Sequence, residues 1–215
     1  MKKIVDLIMF DLDGTLADTG RDLADAVNYT RAHFELPALP DAFVYSKVGR
    51  GVEYLLKHSL PEQGAEHFLE VMRVFLERYE SHLLDATVLY PNVLETLEHF
   101  ATKKRVVVSN KVHRFTVEIL RGLGIEKQFD AILGGDSAAE KKPHPALLHH
   151  VLSRFDILGT KAVIVGDGDT DVEAGKRAGV LTCGVTYGLG HREHLLAAQP
   201  DFMIDDLGEL LNYVD

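Results

Sequence analysis

The run Leu7-Ile8-Met9-Phe10-Asp11-Leu12-Asp13-Gly14-Thr15 decides how the chain is read. Leu7 to Phe10 predicts a strand buried on both faces, too short to span a membrane and edged by charge. Asp11 and Asp13 stand two positions apart where that strand ends. Gly14 then permits a tight turn, and Thr15 adds a hydroxyl. In an open α/β sheet, ligands bind at this end of the strands. Two neighbouring buried acids need a cation or a shared proton. An acidic turn alone would explain the same five residues less completely.

Outward from this stretch, the pattern has two parts. From residue 16 to 83 it reads all-helical. Asp18-Thr19 opens a helix carrying Leu23, Val27 and Phe34 at helical spacing, with Asp18 as its N-cap, and Pro37 and Pro40 end it. A short helix covers Val52 to Leu60, and a long one begins at Pro61 and includes Phe68, Phe75 and Tyr79. From Val88 onward, strands and helices alternate. Strands are expected at Arg105–Val108, Ala131–Leu133, Ala162–Val165, Leu181–Val185 and Phe202–Ile204. Helices are expected at Val93–Phe100, Arg114–Leu123, Pro145–Phe155, Val172–Ala178, His191–Ala197 and Leu207–Tyr213. Such alternation predicts a doubly wound, Rossmann-like parallel sheet with helices on both faces. The expected division is an α/β core from residues 1–15 and 84–215, interrupted by a small helical domain at 16–83.

Composition narrows the class of function. The 215-residue chain is long enough to bury roughly 70–75% of its unfolded surface. Its formal charge of −10, with no basic face, argues against nucleic acid. The single cysteine, Cys183, gives no disulfide framework and reads as buried packing in a reducing compartment. Neither a leader peptide nor a membrane span is expected, which makes the cytoplasm the default location. The histidines lack metal-ligand spacing and read as surface or packing residues.

Four later stretches fall at the same predicted sheet edge or close to it. Ser109-Asn110-Lys111 follows a strand and offers a hydroxyl and an amide for phosphate oxygens, although an ordinary helix cap would look alike. Lys142, before Pro143, is expected near the positive end of the next helix, where it would neutralise an anion. Gly166-Asp167-Gly168-Asp169-Thr170-Asp171 places three acids in five residues, a density that points to a hard cation. Gly49-Arg50-Gly51 in the helical part could bring Arg50 to a substrate's second charged group, or could simply open a helix. Together the carboxylates, lysine, hydroxyl and amide suit metal-assisted phosphoryl transfer.

In that order, Asp11-Leu12-Asp13-Gly14-Thr15-Leu16, Ser109-Asn110, Lys142-Pro143 and Gly166-Asp167 with Asp171 resemble the four motifs of the haloacid dehalogenase superfamily. Asp18-Thr19, Ser109-Asn110-Lys111, Gly134-Gly135-Asp136, Glu140-Lys141-Lys142-Pro143-His144-Pro145 and the tail Pro200–Leu207 most resemble its phosphoglycolate phosphatases. Gly168 and Val112 depart from the residues common there, serine and proline. The resemblance implies that Asp11 attacks phosphorus, that Asp13 serves as acid and then base, and that Ser109, Asn110 and Thr15 help hold the substrate. Lys142 would neutralise charge, and Mg²⁺ would sit on Asp11, the Asp13 carbonyl and Asp167, with Asp171 in support. The helical part would be a cap domain. The expected substrate is a small phosphorylated metabolite, 2-phosphoglycolate first, acted on by a monomer or homodimer. A pyrophosphate, nucleotide or sugar-phosphate phosphatase and a sugar-phosphate mutase stand as alternatives. A carbon–halogen hydrolase would not need Asp13. A phosphonate hydrolase would want a marked cap lysine, and neither Lys47 nor Lys57 is marked. A phospho-accepting signalling module would carry its acceptor on a middle strand and would lack the helical insert.

Overall fold

The computed structural model describes residues 2–62 and 64–215. Gln63, in the stretch where the long insert helix is expected to open, lies outside the described residues, as does Met1. The chain begins with strand β1 (Leu7–Phe10) and a two-residue strand β2 (Ala17–Asp18). The helices α1 (Gly20–His33), α2 (Asp41–Tyr45), α3 (Val52–Ser59) and α4 (Ala65–Ser81) follow. Then come β3 (Val88–Leu89), α5 (Val93–His99), β4 (Lys104–Val108), α6 (His113–Gly122) and β5 (Ala131–Leu133). The rest is α7 (Ala146–Phe155), β6 (Ala162–Gly166), α8 (Asp169–Ala178), β7 (Leu181–Val185), α9 (Arg192–Ala198) and β8 (Phe202–Ile204), closed by a 3₁₀ segment, Leu207–Asn212.

Six strands form one parallel sheet in the order β5-β4-β1-β6-β7-β8. The first strand is therefore central, and the winding reverses beside it. Phe10 is in register with Val107 on one side and Val165 on the other. Consequently Asp11, Ser109 and Asp167 leave adjacent strands at one edge, the crevice in which doubly wound sheets bind ligands.

The sheet is held by two separate apolar layers, and β1 shows why. Ile8 and Phe10 pack in one cluster with Val107, Val163, Val165 and Val185. Leu7 and Met9 point the other way and join Val106, Val108, Ile164, Leu147 and Val151. Successive side chains of a strand face opposite sides, so a strand covered on both faces must be apolar at every position. The first cluster extends without a break into the helical insert through Leu23, Val27, Leu55, Phe75 and Tyr79.

Local differences from expectation have local causes. Ala17–Asp18 pairs with Val88–Leu89 as an antiparallel ribbon at the two ends of the insert, too short to show periodicity. The N-cap of α1 is Thr19, not Asp18. Asp18 still accepts from the Gly20 N–H at 3.2 Å. Pro143 lies in a loop, three residues before the start of α7, and the Lys142–Pro143 bond is cis. Lys142 therefore reaches the sheet edge from a loop and not from a helix end. The closing helix is 3₁₀. No helix is long and apolar enough to cross a membrane among the described residues.

Candidate active site

The site starts at the tip of β1. The Asp11 side chain, 4% exposed, accepts the Leu12 N–H at 2.7 Å, which bends the carboxylate back over its own turn. Gly14 closes that turn with φ +82°, and a Cβ there would lie 2.0 Å from Asp167 Oδ2. A residue with a side chain would meet both a backbone penalty and a carboxylate. Asp167, from the tip of β6, accepts the Gly190 N–H at 2.7 Å. The hydroxyl of Thr15 stands 3.4 Å from its other oxygen.

Asp11, Asp167 and Asp171 each present a carboxylate oxygen within 4.8 Å of the others, all buried. Lys142 is fully buried beneath them, its Nζ 2.6 Å from Asp171 and 3.2 Å from Asp11. It also donates to the Val108 carbonyl at 2.6 Å. Burial pulls the ammonium towards neutrality, but Asp11 and Asp171 more than offset this and its pKa is raised. One lysine does not balance the cluster. Burial pushes Asp11 up to about 7, with Asp171 and Asp13 adding repulsion that Lys142 opposes. Burial, with Asp11 and Asp171 adding to it, pushes Asp167 up to about 8. Three buried acids with this surplus of negative charge fit a hard divalent cation bound through oxygen.

Asp13 faces a different set of partners. It accepts from the Thr19 hydroxyl at 2.6 Å and pairs with Lys111 at 3.0 Å. Lys111 also donates to the Tyr79 hydroxyl at 2.9 Å. The two acids of the opening motif thus sit in separate environments, one in the acidic cluster and one beside a lysine. Divergent surroundings of this kind suit paired carboxylates to different roles.

At the tip of β4, Ser109 is buried with its Oγ 3.3 Å from the Lys111 N–H. The Asn110 amide nitrogen donates to the Gly49 carbonyl at 2.9 Å and to the Lys142 carbonyl at 2.8 Å. It therefore joins the insert to the core, and its buried Oδ1 has no protein partner. Among the described residues, the backbone N–H groups of Asp13 and Asn110 also find no protein acceptor. Such free donors beside a nucleophile can hold anionic oxygens. Arg50 stands apart from these groups. It pairs with Asp169 at the start of α8 and bridges the insert to the core outside the cavity.

That cavity holds about 520 Å³ of empty space, its mouth included. Asp11, Asp13, Ser109, Asn110, Lys111, Tyr79, Phe75 and Phe115 are among the residues that line it. The structure therefore brings together Asp11, Asp13, Thr15, Ser109, Asn110, Lys142, Asp167 and Asp171. It adds Lys111, Thr19 and Tyr79, for which the sequence analysis names no role. Lys111 had a signal, since it directly follows two candidate residues at the sheet edge. Tyr79 had a weaker one, a phenol at an otherwise apolar helix position, which needs a partner when buried.

The chain's likenesses agree with this geometry. The sequence profile of the haloacid dehalogenase-like hydrolases matches residues 8–185. The phosphoglycolate phosphatase of Vibrio vulnificus is 36% identical over 98% of the chain and 96% of its own length. That of Vibrio cholerae is 37% identical over 99% and 98%. The crystal structure of a predicted phosphoglycolate phosphatase from Haemophilus somnus superposes with a TM-score of 0.93 at 32% identity, covering 97% of each chain.

Proposed function

The chain belongs to the haloacid dehalogenase-like hydrolases and is a phosphatase, and we propose that it hydrolyses small phosphomonoesters through Asp11, with 2-phosphoglycolate as its substrate. The observation that carries this reading is the pair of environments around Asp11 and Asp13. One carboxylate lies among acids that a cation would keep ionised. The other stands on the cavity wall beside proton-carrying groups.

In the first step an Asp11 oxygen attacks phosphorus and the ester P–O bond breaks. Asp13 gives its proton to the departing alkoxide, which leaves as the alcohol. The aspartyl-phosphate on Asp11 is then attacked by water, and Asp13 takes the water's proton as the new P–O bond forms. Breakage of the bond to Asp11 releases phosphate and restores the carboxylate. The backbone N–H groups of Asp13 and Asn110, with the Ser109 hydroxyl, hold the equatorial oxygens. Lys142 keeps Asp11 and Asp171 in place and offsets charge at the nucleophile.

Asp11, Asp167 and Asp171 would hold Mg²⁺, with the Asp13 carbonyl as the further ligand that the family resemblance implies. When bound, the cation would neutralise the acids and the charge that builds on the transferring group. The helices between β2 and β3 act as a cap that walls the cavity with Val48, Val52, Leu55 and Phe75. These apolar walls limit the access of bulk water to the nucleophile.

The likeness to phosphoglycolate phosphatases over nearly the full chain supports 2-phosphoglycolate above nucleotides, pyrophosphate or sugar phosphates. The test is phosphate release with Mg²⁺ from a panel of these esters. 2-Phosphoglycolate is expected to give the highest kcat/KM. A sugar phosphate or nucleotide turned over at least tenfold better would replace it.

A further inference from the structure

Lys111 sits on the cavity wall with one donor to spare. Its side chain is 7% exposed, and its ammonium meets Asp13 at 3.0 Å and the Tyr79 hydroxyl at 2.9 Å. An ammonium carries three N–H groups, and the third has no protein acceptor among the described residues. The walls around it are apolar, from Leu23, Val48, Leu55, Phe75 and Phe115. Among the described residues, no arginine lines this cavity. Of the other cations nearby, Arg50 is engaged by Asp169 outside the cavity and Lys142 is held by Asp11 and Asp171, while Lys141 Nζ lies 3.0 Å from where a Cβ on Gly51 of the lining would stand.

Resting on the hydrolase reading above, we infer that Lys111, backed by Tyr79, recognises a carboxylate on the alcohol portion of the substrate and so determines specificity. Reach sets where that carboxylate lies. The leaving oxygen must come within hydrogen-bond distance of Asp13, about 2.8 Å, and Asp13 is 3.0 Å from the ammonium. The ammonium therefore lies within about 8 Å of the ester oxygen, near enough to meet a carboxylate carried on the first carbons of the alcohol. A single free donor in an apolar wall suits one carboxylate oxygen. A second phosphate, with more charge and more acceptors, would be left poorly paired. The class this admits is a short phosphooxy carboxylate, 2-phosphoglycolate among them.

The experiment compares 2-phosphoglycolate with 2-hydroxyethyl phosphate, which has the same chain length but a neutral end. Phosphate release is measured for the unaltered protein, Lys111→Met, Lys111→Arg and Tyr79→Phe in Mg²⁺. The unaltered protein should favour 2-phosphoglycolate by about 10- to 100-fold in kcat/KM, the range for one hydrogen bond to a charged group. In Lys111→Met that ratio should fall to within about threefold of one, with the change mainly in KM for the acid. Lys111→Arg should restore part of it, and Tyr79→Phe should reduce it by less. A ratio near one in the unaltered protein overturns the inference. So does an equal loss for both esters in Lys111→Met, which would make the lysine a partner of Asp13 only. If Lys111→Met does not fold, the neutral Lys111→Gln is read by the same ratio. Failure of the unaltered protein to release phosphate from either ester would count against the hydrolase reading instead.

Discussion

At the scale of single residues, each acid of the opening motif is defined by what surrounds it. Asp11 is buried among acids with Lys142 at 3.2 Å, whereas Asp13 meets Thr19 and Lys111. Asp11→Asn should therefore lower turnover by at least about 10⁴-fold, the scale for losing a covalent nucleophile. It should not unfold the protein, because a buried charge is removed with little change in shape. Phosphate release together with a thermal melt checks both halves. Gly14→Ala joins a left-handed backbone with a Cβ 2.0 Å from Asp167 Oδ2. It should cost about 1–3 kcal/mol in urea unfolding and displace Asp167. An unchanged midpoint and unchanged activity would show that the turn can reshape freely.

At the scale of elements, the insert is fastened to the core at its two ends. The β2–β3 ribbon is one fastening. A second is Asp22 of α1, buried, which accepts from the Ala86 N–H at 2.9 Å and from the Thr87 N–H and hydroxyl at 2.9 and 2.7 Å. Asp22→Ala leaves three donors without their acceptor and should cost about 2–4 kcal/mol, read from urea unfolding. A change within about 0.5 kcal/mol would mean that water replaces the carboxylate there.

The same scale shows what the sequence makes legible. Alternating buried strands and amphipathic helices predict the sheet because every residue of β1, and the inner residues of β4 and β6, must be apolar. The acids at strand ends are conspicuous because nothing in a strand's packing calls for them. Ala17–Asp18 is invisible in advance, since two residues carry no period and their partner lies some 70 positions away. The roles of Lys111 and Tyr79 escape notice for a related reason. Their importance depends on the insert folding back over the sheet edge, which no local pattern encodes. Asn110 reads as a phosphate ligand from sequence, but its amide nitrogen is spent on two backbone carbonyls.

At the scale of the molecule, a chain of formal charge −10 keeps two buried lysines at the cavity that receives an anion. A bound cation would supply the rest of the positive charge, so stability and metal affinity should be linked to pH. Asp11, raised to about 7, and Asp167, raised to about 8, keep protons in the fold that the unfolded chain has released. Without metal, stability should therefore fall as pH rises from about 4 through 8. Mg²⁺ must displace those protons, so its stabilising effect should be larger at pH 8.5 than at pH 5.5. Thermal melts with and without Mg²⁺ at both pH values test this, and an equal shift at both would contradict it.

The most direct test of the account is acid quenching within the first turnover on 2-phosphoglycolate, followed by mass spectrometry of the peptide that contains Asp11. Nucleophilic attack by Asp11 predicts phosphate bound to that side chain, lost on treatment with hydroxylamine and absent from Asp11→Asn. A burst of alcohol release with no covalent phosphate on Asp11, or with phosphate on another residue, would contradict it.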